Sequence, residues 1–462
     1  MPIEIRNPAA PDQIVATYDE TPDNALDEVV ARARAAQLEW AALPQPERGV
    51  MVTNFVNALE TRSEEIAKSI TKEMGKPLAE ARGEAMKALG EARASVARAN
   101  APIGEVFGSQ IPGTVSYSTR RPRGVILGIN PWNFPFSTPM RKAIPALVYG
   151  NAIILKPASL TPGAVALMAE VAASTLPENL VQAVIGRGAL GQALAEHRGI
   201  DAVSFTGSVE VGKRVATAAA GHLAEVSLEL GGKNPAILND ASDLEKVLDQ
   251  ILLAAFAVCG QRCTAVSRVI VHRDIEEAVV SGLAARAAAM EPKDGMIEGA
   301  KIGPLASAQQ LEDVAGFVSR AVSDGAVIAV GGHRLESPGG GYFYAPTILR
   351  GVTRDMEIAR QEVFGPVLSL IAYDTVDEAL SIANDTAFGL SSCLYSERTD
   401  LVERFVAESE SGMLHVNAGS FPENHLPFVG IKDSSMGVGG SNGPSTIQFY
   451  TTEHAVYRRA CV

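Results

Sequence analysis

The sequence predicts an α/β protein built around a doubly wound parallel sheet, and three observations predict it. Short, β-branched apolar runs, such as 124–129 and 151–155, are typical of parallel strands buried on both faces. Helix-like stretches such as 137–148 separate these runs, and alternation of this kind indicates βαβ units. A chain of 462 residues with 47% hydrophobic residues can bury large cores, which favours two or three domains.

The first hundred residues predict a layer of helices. From about Asp23 to Ala101 the chain is rich in Ala, Glu and Arg and has helical periodicity, most clearly in 26–30 and 79–100. We expect these helices to cover another part of the protein.

The α/β alternation continues in two series. In the first, strands are predicted at 180–185, 202–205 and 225–229, with helices ending near His197 and Ala220. The second begins after Gly231-Gly232 and runs to about Gly430. It starts with a strand at 236–238, a helix from Leu244 to about Val258 and a strand at 268–272.

Two segments with strand propensity lie outside this alternation, at 115–119 and 445–452. They suggest a small separate sheet whose edge could pair subunits.

Charge and composition argue against several kinds of partner. The formal net charge of -13 opposes a general attraction to nucleic acid or anionic membranes. The N-terminus lacks the basic and apolar regions of a signal peptide, and no apolar run of about 18 residues predicts a membrane span. We therefore expect a cytoplasmic protein without nucleic-acid or membrane partners.

The cysteines predict reduced thiols rather than disulfides. There are four, Cys259, Cys263, Cys393 and Cys461, too few for a disulfide scaffold in so long a chain. The seven histidines are scattered and supply no second ligand pair at zinc-site spacing, so we expect no metal.

Two loops compete as phosphate-binding sites. Residues 186–191 read GRGALG, a literal G-x-G-x-x-G between a predicted strand and helix. Residues 205–212 read FTGSVEVG, where a strand ends and a helix opens with small residues whose N–H groups can bind phosphate. Composition does not decide between them.

Three side chains are candidates for catalysis, each with a plainer alternative. Cys263 follows Arg262, and a nearby cation would lower the thiol pKa, although an inert buried cysteine is the alternative. Glu229 lies between leucines at a strand end, where desolvation would raise its pKa and suit a general base; a hinge glutamate is the alternative. Asn133 lies in PWNFP after a strand and could donate to an oxyanion, or simply form an Asx turn.

Six segments in order carry a resemblance to the aldehyde dehydrogenase superfamily over essentially the whole chain. They are PWNFP (131–135), KPAS (156–159), FTGS (205–208), LELGGKNP (228–235), GQRCTA (260–265) and QEVFGP (361–366). The resemblance is to the branch that includes succinate-semialdehyde dehydrogenases.

This resemblance implies three parts. A Rossmann-like cofactor domain would comprise 1–105 and 123–231, an α/β catalytic domain 232–431, and a small β oligomerisation arm 106–122 and 440–462. It also implies a homodimer or homotetramer.

The resemblance also assigns roles. Cys263 would be the nucleophile that forms a thioester, Glu229 the base that activates the deacylating water, and Asn133 the side-chain half of an oxyanion hole completed by the Cys263 N–H. The cofactor would be bound by a further set of residues: Gly207, Ser208 and Gly212 on the helix facing the pyrophosphate, Trp132 nearby, Lys156 and Ser159 at the adenine ribose, and Glu362 and Phe364 at the nicotinamide. On this view 186–191 is only a neighbouring turn.

Cofactor and substrate preferences rest on single positions. Many NAD-preferring relatives carry a glutamate where this chain has Ser159, and a hydroxyl beside Lys156 tolerates a 2′-phosphate, so we expect NADP to be preferred and NAD to be usable. Arg141 falls where succinate-semialdehyde dehydrogenases hold the substrate carboxylate; a helix-surface arginine is the alternative. Ala257, Pro422 and the segment 427–439 depart from the family pattern, which leaves succinate semialdehyde, 2-oxoglutarate semialdehyde and other aldehydes open.

A different class of enzyme also fits part of the pattern. A papain-like thiol hydrolase would use Cys263 with His415 and Asn417 and would need no cofactor.

Overall fold

The computed structural model describes residues 2–439 and 441–459. It opens with an antiparallel hairpin that the sequence did not predict, β1 (Ile3–Asn7) and β2 (Ala10–Tyr18). The predicted helical layer follows and is confirmed as α1 (Leu26–Ala42), α2 (Gln45–Thr61), α3 (Ser63–Met74) and α4 (Leu78–Val96).

The end of α3 shows how local sequence sets these boundaries. Apolar side chains repeat at helical spacing along its buried face, from Ile66 through Ile70 to Met74. Gly75 then adopts a φ of +91°, the left-handed conformation that commonly ends a helix and that glycine adopts without strain.

The next part of the chain contains two strands of a small sheet and then the parallel strands of the larger first sheet. Its elements in chain order are β3 (Val106–Phe107), β4 (Thr114–Pro122), β5 (Val125–Ile129), α5 (Ser137–Val148), β6 (Ala152–Lys156), α6 (Gly163–Thr175), β7 (Val181–Ala183), α7 (Gly188–Glu196), β8 (Ala202–Thr206), α8 (Val209–Ala220) and β9 (Glu225–Glu229). Strands β9, β8, β5, β6 and β7 are neighbours in that order and run parallel. The chain reverses direction across the sheet between β5 and β8, so their carboxyl ends open a crevice of the kind that binds ligands.

The remaining residues form the second sheet and the closing segments. The elements are β10 (Asn234–Leu238), α9 (Leu244–Phe256), β11 (Val266–His272), α10 (Glu276–Ala288), α11 (Ala308–Ser323), β12 (Val327–Val330), β13 (Thr347–Arg350), α12 (Glu357–Arg360), β14 (Val367–Tyr373), α13 (Val376–Asn384), β15 (Phe388–Gly389), β16 (Ser391–Tyr395), α14 (Thr399–Glu408), β17 (Met413–Val416), β18 (Ile431–Lys432), β19 (Ser435–Gly437), α15 (Thr446–Tyr450) and β20 (Thr451–Arg459). The second sheet has the order β12-β13-β14-β11-β10-β16-β17, and only β12 pairs antiparallel. Each sheet carries its own buried core, and the predicted doubly wound α/β fold is confirmed.

The C-terminal strand does not begin where the sequence predicted. Residues 446–450 form the short helix α15, and β20 starts only at Thr451. The β-branched run suggested a strand, but Phe449 and Tyr450 are buried in the core of the first sheet, and tertiary packing overrides local propensity there. β20 pairs antiparallel with β4, which contains the correctly predicted strand at 115–119, and β3 completes this small sheet.

Three observations complete the fold. Cys259, Cys263 and Cys393 are free thiols, and Cys461 lies outside the described residues. Along the stretches 2–439 and 441–459, no helix has both the length and the apolarity to cross a membrane. Within those same stretches, His, Cys, Asp and Glu side chains form no group of three or more that could hold a metal ion.

Candidate active site

One cavity of about 850 Å³ gathers almost every residue that the sequence singled out. It is lined by loops at the carboxyl ends of β5, β8 and β9 and by the segments around 257–264 and 362–364. The predicted residues that line it are Trp132, Asn133, Arg141, Lys156, Ser159, Gly207, Ser208, Glu229, Cys263, Glu362 and Phe364. Residues as far apart in the chain as Trp132 and Phe364 thus line a single cavity.

The backbone that delivers Cys263 to the cavity is sharply bent. Helix α9 ends in three consecutive residues with positive φ, Val258 (+58°), Cys259 (+56°) and Gly260 (+68°). A Cβ at position 260 would collide with the carbonyl oxygen of Gly365, so the close approach requires glycine. Strain at the two non-glycine residues is of the kind that concentrates at functional sites.

Arg262 lowers the pKa of the Cys263 thiol as expected, but burial determines the net shift. Burial, reinforced by the carboxylate of Glu362, raises the pKa of Cys263 to about 12, and this outweighs the opposing influence of Arg141 and Arg262. The Arg262 guanidinium is directed elsewhere, donating to the carbonyl oxygen of Ser420 at 2.7 Å. The thiol is therefore protonated at neutral pH in the protein alone.

Glu229 is the last residue of β9, and its side chain is almost fully buried. Its Oε1 accepts a long hydrogen bond of 3.3 Å from the Ser441 N–H, and its Oε2 is buried and has no partner in the described chain. Burial raises the pKa of Glu229 to about 8. The predicted upward shift is confirmed, and it brings this carboxyl into the range that general acid–base chemistry requires.

Asn133 is held from two sides. Its Nδ2 donates to the carbonyl oxygen of Gln261 at 2.9 Å, which leaves one amide hydrogen for the cavity. The backbone carbonyl oxygen of Asn133 accepts a 2.6 Å hydrogen bond from Lys76 Nζ. Lys76 forms a fully buried ion pair with Glu84 at 2.7 Å.

The ion pair was not found from the sequence, although it fixes the loop that carries Asn133. The second oxygen of Glu84 accepts hydrogen bonds from the N–H groups of Phe136 and Ser137, both at 3.0 Å. Lys76 lies in the loop before α4 and Glu84 lies within α4, so no helical spacing in the sequence indicated their contact. The Asn133 side chain is thus held by a hydrogen bond to the carbonyl oxygen of Gln261 and does not form the Asx turn considered as the alternative.

The part of the cavity near Trp132 carries aromatic and acidic groups. Trp132 and Phe364 pack edge to face, with ring centroids 5.3 Å apart. Glu362 accepts a 3.1 Å bond from the Gly232 N–H, and burial raises the pKa of Glu362 to about 7. A Cβ at Gly231 would collide with the Glu362 carboxylate, so the two segments approach as closely as glycine allows.

Two glycine-containing segments in the far part of the cavity bear on where the cofactor phosphates would bind. Gly212 is not among the cavity-lining residues of the described chain; it packs α8 against Leu230, where a Cβ would come within 2.6 Å of a methyl group. The G-x-G-x-x-G segment is more than a neighbouring turn, because Gly188 and Gly191 line the cavity and Gly191 lies against the Lys156 side chain. Lys156 is buried there, which lowers its pKa to about 8.

Arg141 reaches the cavity but is already paired. Its guanidinium donates to both carboxylate oxygens of Glu91, at 2.7 and 2.8 Å, and lies over the ring of Phe428. Only Nη1 takes no part in this pair. The surface-arginine alternative was wrong, since the side chain is largely buried.

Lys87 is a cavity residue that sequence reasoning missed. It lies on α4, where Glu80, Glu84, Lys87 and Glu91 recur at spacings of three and four. A charged stripe on one face of a helix that also buries apolar residues was the signal that could have found it.

The thiol-hydrolase arrangement does not form. The Asn417 side chain bonds the backbone N–H and carbonyl of Ser396, at 3.0 and 3.1 Å, and is thereby unavailable to orient His415. Within the described parts of the chain, neither residue lines the cavity with Cys263.

Fold and site together define an α/β oxidoreductase that acts on aldehydes. The model of the aldehyde dehydrogenase family matches residues 1–456, and the chain belongs to this family. Members of the family use NAD or NADP.

Individual relatives cover nearly the whole chain. An alpha-ketoglutaric semialdehyde dehydrogenase of Bacillus subtilis is 37% identical over 98% of this chain and 94% of its own. A betaine aldehyde dehydrogenase of Cereibacter sphaeroides is 35% identical over 99% and 93%. The solved structure of a 3,6-anhydro-L-galactose dehydrogenase in complex with NAP matches with a TM-score of 0.95 at 32% identity, over 99% and 96%.

Proposed function

We propose that this protein oxidises an acid semialdehyde to the dicarboxylic acid through a thioester on Cys263. The observation that carries the proposal is the Arg141 guanidinium, which lines the same cavity as Cys263 and Glu229 and acts electrostatically on both. A substrate with an aldehyde at one end and a carboxylate at the other matches this pairing of thiol and cation. The name of the Bacillus subtilis relative favours 2-oxoglutarate semialdehyde over succinate semialdehyde.

A betaine aldehyde substrate is a weaker candidate on chemical grounds. A quaternary ammonium group needs open aromatic faces, yet the rings of Phe134, Phe421 and Phe428 are each covered by a cationic side chain of this chain, from Lys76, Arg262 and Arg141.

The cavity fits a dinucleotide cofactor. Lys156 presents a buried ammonium that forms no salt bridge to a described carboxylate, and Gly207 and Ser208 open the twelve-residue helix α8 into the same space, where N–H groups and the helix dipole favour phosphate. The charge of Glu362 acts on the Cys263 thiol, and Phe364 packs against Trp132, the neighbour of Asn133 in the chain. When bound, the nicotinamide accepts the hydride that leaves the aldehyde carbon.

The chain's own groups account for the remaining steps. The Cys263 thiol first loses its proton to solvent, and the thiolate sulfur bonds to the aldehyde carbon. The electron pair of the carbonyl π bond moves to the oxygen, which becomes an oxyanion that the free Asn133 amide hydrogen and the Cys263 N–H stabilise. After hydride loss a thioester remains. Glu229 takes a proton from water, the resulting hydroxide attacks the thioester carbon, and the carbon–sulfur bond breaks to release the acid and the thiolate.

The proposal is tested with matched pairs of aldehydes, 2-oxoglutarate semialdehyde and succinate semialdehyde against pentanal and butanal, followed at the absorbance of the reduced cofactor. A charge-assisted hydrogen bond contributes about 1.5–3 kcal/mol, so kcat/KM should favour the acids by about 10- to 100-fold. Equal values would contradict the preference for an acid. Absence of reduction with every aldehyde would contradict the chemistry itself.

We propose that NADP is preferred and that NAD is also used, because Ser159 carries no charge to repel a 2′-phosphate beside Lys156. Ser159→Glu should move the ratio of kcat/KM for NADP to that for NAD towards NAD by about 10-fold or more, the effect of one repulsive contact of about 1.4 kcal/mol. Ser159→Ala is the matched control and should leave the ratio nearly unchanged. An unaltered ratio in the glutamate variant would show that the adenosine lies elsewhere.

We infer a cofactor domain of 1–105 and 123–231, a catalytic domain of 232–431 and an arm of 106–122 and 440–462 that forms a homodimer or homotetramer. The exposed apolar side chains of the small sheet support the arm's role, with Val106 81% and Tyr457 76% exposed. A catalytic thiol requires a reducing compartment, which supports the cytoplasm.

A further inference from the structure

Lys87 is a cation at the cavity without a carboxylate of its own. It lies on α4, half-buried, and its Nζ donates one hydrogen bond of 2.9 Å to the carbonyl oxygen of Pro422. An ammonium has three donors, so two remain for a ligand. No described carboxylate lies within ion-pair distance of this group.

Two of the three neighbouring cations, unlike Lys87, are paired with a carboxylate. Lys76 pairs with Glu84, and Arg141 pairs with both oxygens of Glu91. Arg262 feels the charge of Glu80 and donates to backbone and hydroxyl oxygens. Lys87 and Arg262 are therefore the two described cations at this side of the cavity that form no salt bridge. The Nη2 group of Arg262 is engaged by Thr264 and Ser420, whereas Lys87 keeps two donors for a ligand.

The surroundings of Lys87 favour an incoming anion. The positive charges of Arg141 and Arg262 both act on it, and burial weakens its hydration. A carboxylate placed between Lys87 and Arg141 would relieve this repulsion and would accept charge-assisted hydrogen bonds from both.

The order of groups along the cavity fits a substrate with two ends. The charge of Arg141 acts on Cys263, Glu229 and Lys87, whereas Lys87 is not among the charges that act on Cys263 or Glu229 and instead contacts the loop at Pro422. A semialdehyde held by its carbonyl carbon at Cys263 would direct its carboxylate past Arg141 towards Lys87.

We propose that Lys87 is a specificity-determining residue that binds the distal carboxylate of the semialdehyde together with Nη1 of Arg141. This inference rests on the proposed oxidation of acid semialdehydes, and it identifies Lys87 as the main group that binds the carboxylate of these substrates. Arg141, already neutralised by Glu91, serves chiefly to orient the carboxylate.

The test compares Lys87→Met and Lys87→Arg with the unaltered enzyme on 2-oxoglutarate semialdehyde and on pentanal. Lys87→Met should raise KM for the acid by about 10- to 100-fold while kcat/KM for pentanal changes less than about threefold. Lys87→Arg should restore most of the acid KM. Lys72→Met, an exposed lysine of α3, is the matched control and should behave as the unaltered enzyme.

The outcomes separate this inference from the function on which it rests. If the unaltered enzyme does not prefer the acid to pentanal, the proposed function fails first. If it does prefer the acid but Lys87→Met raises both KM values equally, or neither, Lys87 is not the receptor and the inference is overturned. Retained pentanal oxidation in the same variant demonstrates that the protein is folded.

A second readout is the pH dependence of KM. Burial and the charges of Arg141 and Arg262, partly offset by Glu91, lower the pKa of Lys87 to about 8. The ammonium is charged below that pH and lost above it, so the acid KM should rise relative to the pentanal KM above about pH 8. His415 also feels Lys87, but burial lowers its pKa, so it stays neutral through this range.

The arginine variant distinguishes this titration from others in the cavity. Glu229 also titrates near pH 8, but it acts on both substrates alike and cancels in the ratio of KM values. In Lys87→Arg the ratio should stay constant to at least pH 9, because a guanidinium keeps its proton there. A ratio that rises equally in both proteins would contradict the inference.

Discussion

Cys263→Ala is expected to abolish aldehyde oxidation, with kcat reduced by about 10⁴-fold or more, because removal of a nucleophile eliminates the covalent route. The cavity offers no replacement thiol among the described residues: Cys259 lies in the core of the second sheet, where burial raises its pKa strongly. The measurement is the initial rate of cofactor reduction at saturating aldehyde.

A matched control removes a thiol that is not at the cavity. Cys393→Ala, in the buried strand β16, should retain most of the activity. Cofactor binding to Cys263→Ala, followed by quenching of protein fluorescence, should persist. Turnover by this variant at a tenth of the normal rate would contradict a thioester mechanism.

Glu229→Gln is expected to stop the reaction after its first half. Loss of a general base slows proton transfer by about 10²- to 10⁴-fold, and here the slowed step is hydrolysis of the thioester. Mixing enzyme with aldehyde and cofactor should then give a burst of about one reduced cofactor per site, followed by slow turnover. Mass spectrometry should find the acyl group on Cys263.

The pH profile tests the same carboxyl independently. Because burial raises the pKa of Glu229 to about 8, its basic form is the minor one at neutral pH and increases as the pH rises through 8. kcat limited by hydrolysis should increase over that range, and Glu229→Gln should lose this dependence. Glu39→Gln, an exposed carboxyl of α1, should keep both the rate and the profile. Absence of a burst with both half-reactions slowed equally would show that Glu229 acts before the thioester.

Much of the fold could be predicted because its strands are buried on both faces. Continuous apolar runs at β5, β6 and β8 and the helices between them leave a signal in a single stretch of chain. The failures came where long-range packing decides. Residues 446–450 have strand propensity, yet core packing makes them helical.

The site shows the same division. By itself the sequence determined which reactive side chains exist and, through six motifs in order, which of them belong to one family's site: Cys263, Glu229 and Asn133. Their charges and partners depend on three-dimensional neighbours. Only the tertiary structure decided that burial outweighs the charge of Arg262 at the Cys263 thiol and that Lys87 lies at the cavity without a paired carboxylate. The physical reason is that desolvation and Coulomb interactions depend on distance in space, and residues far apart in the chain supply most of both.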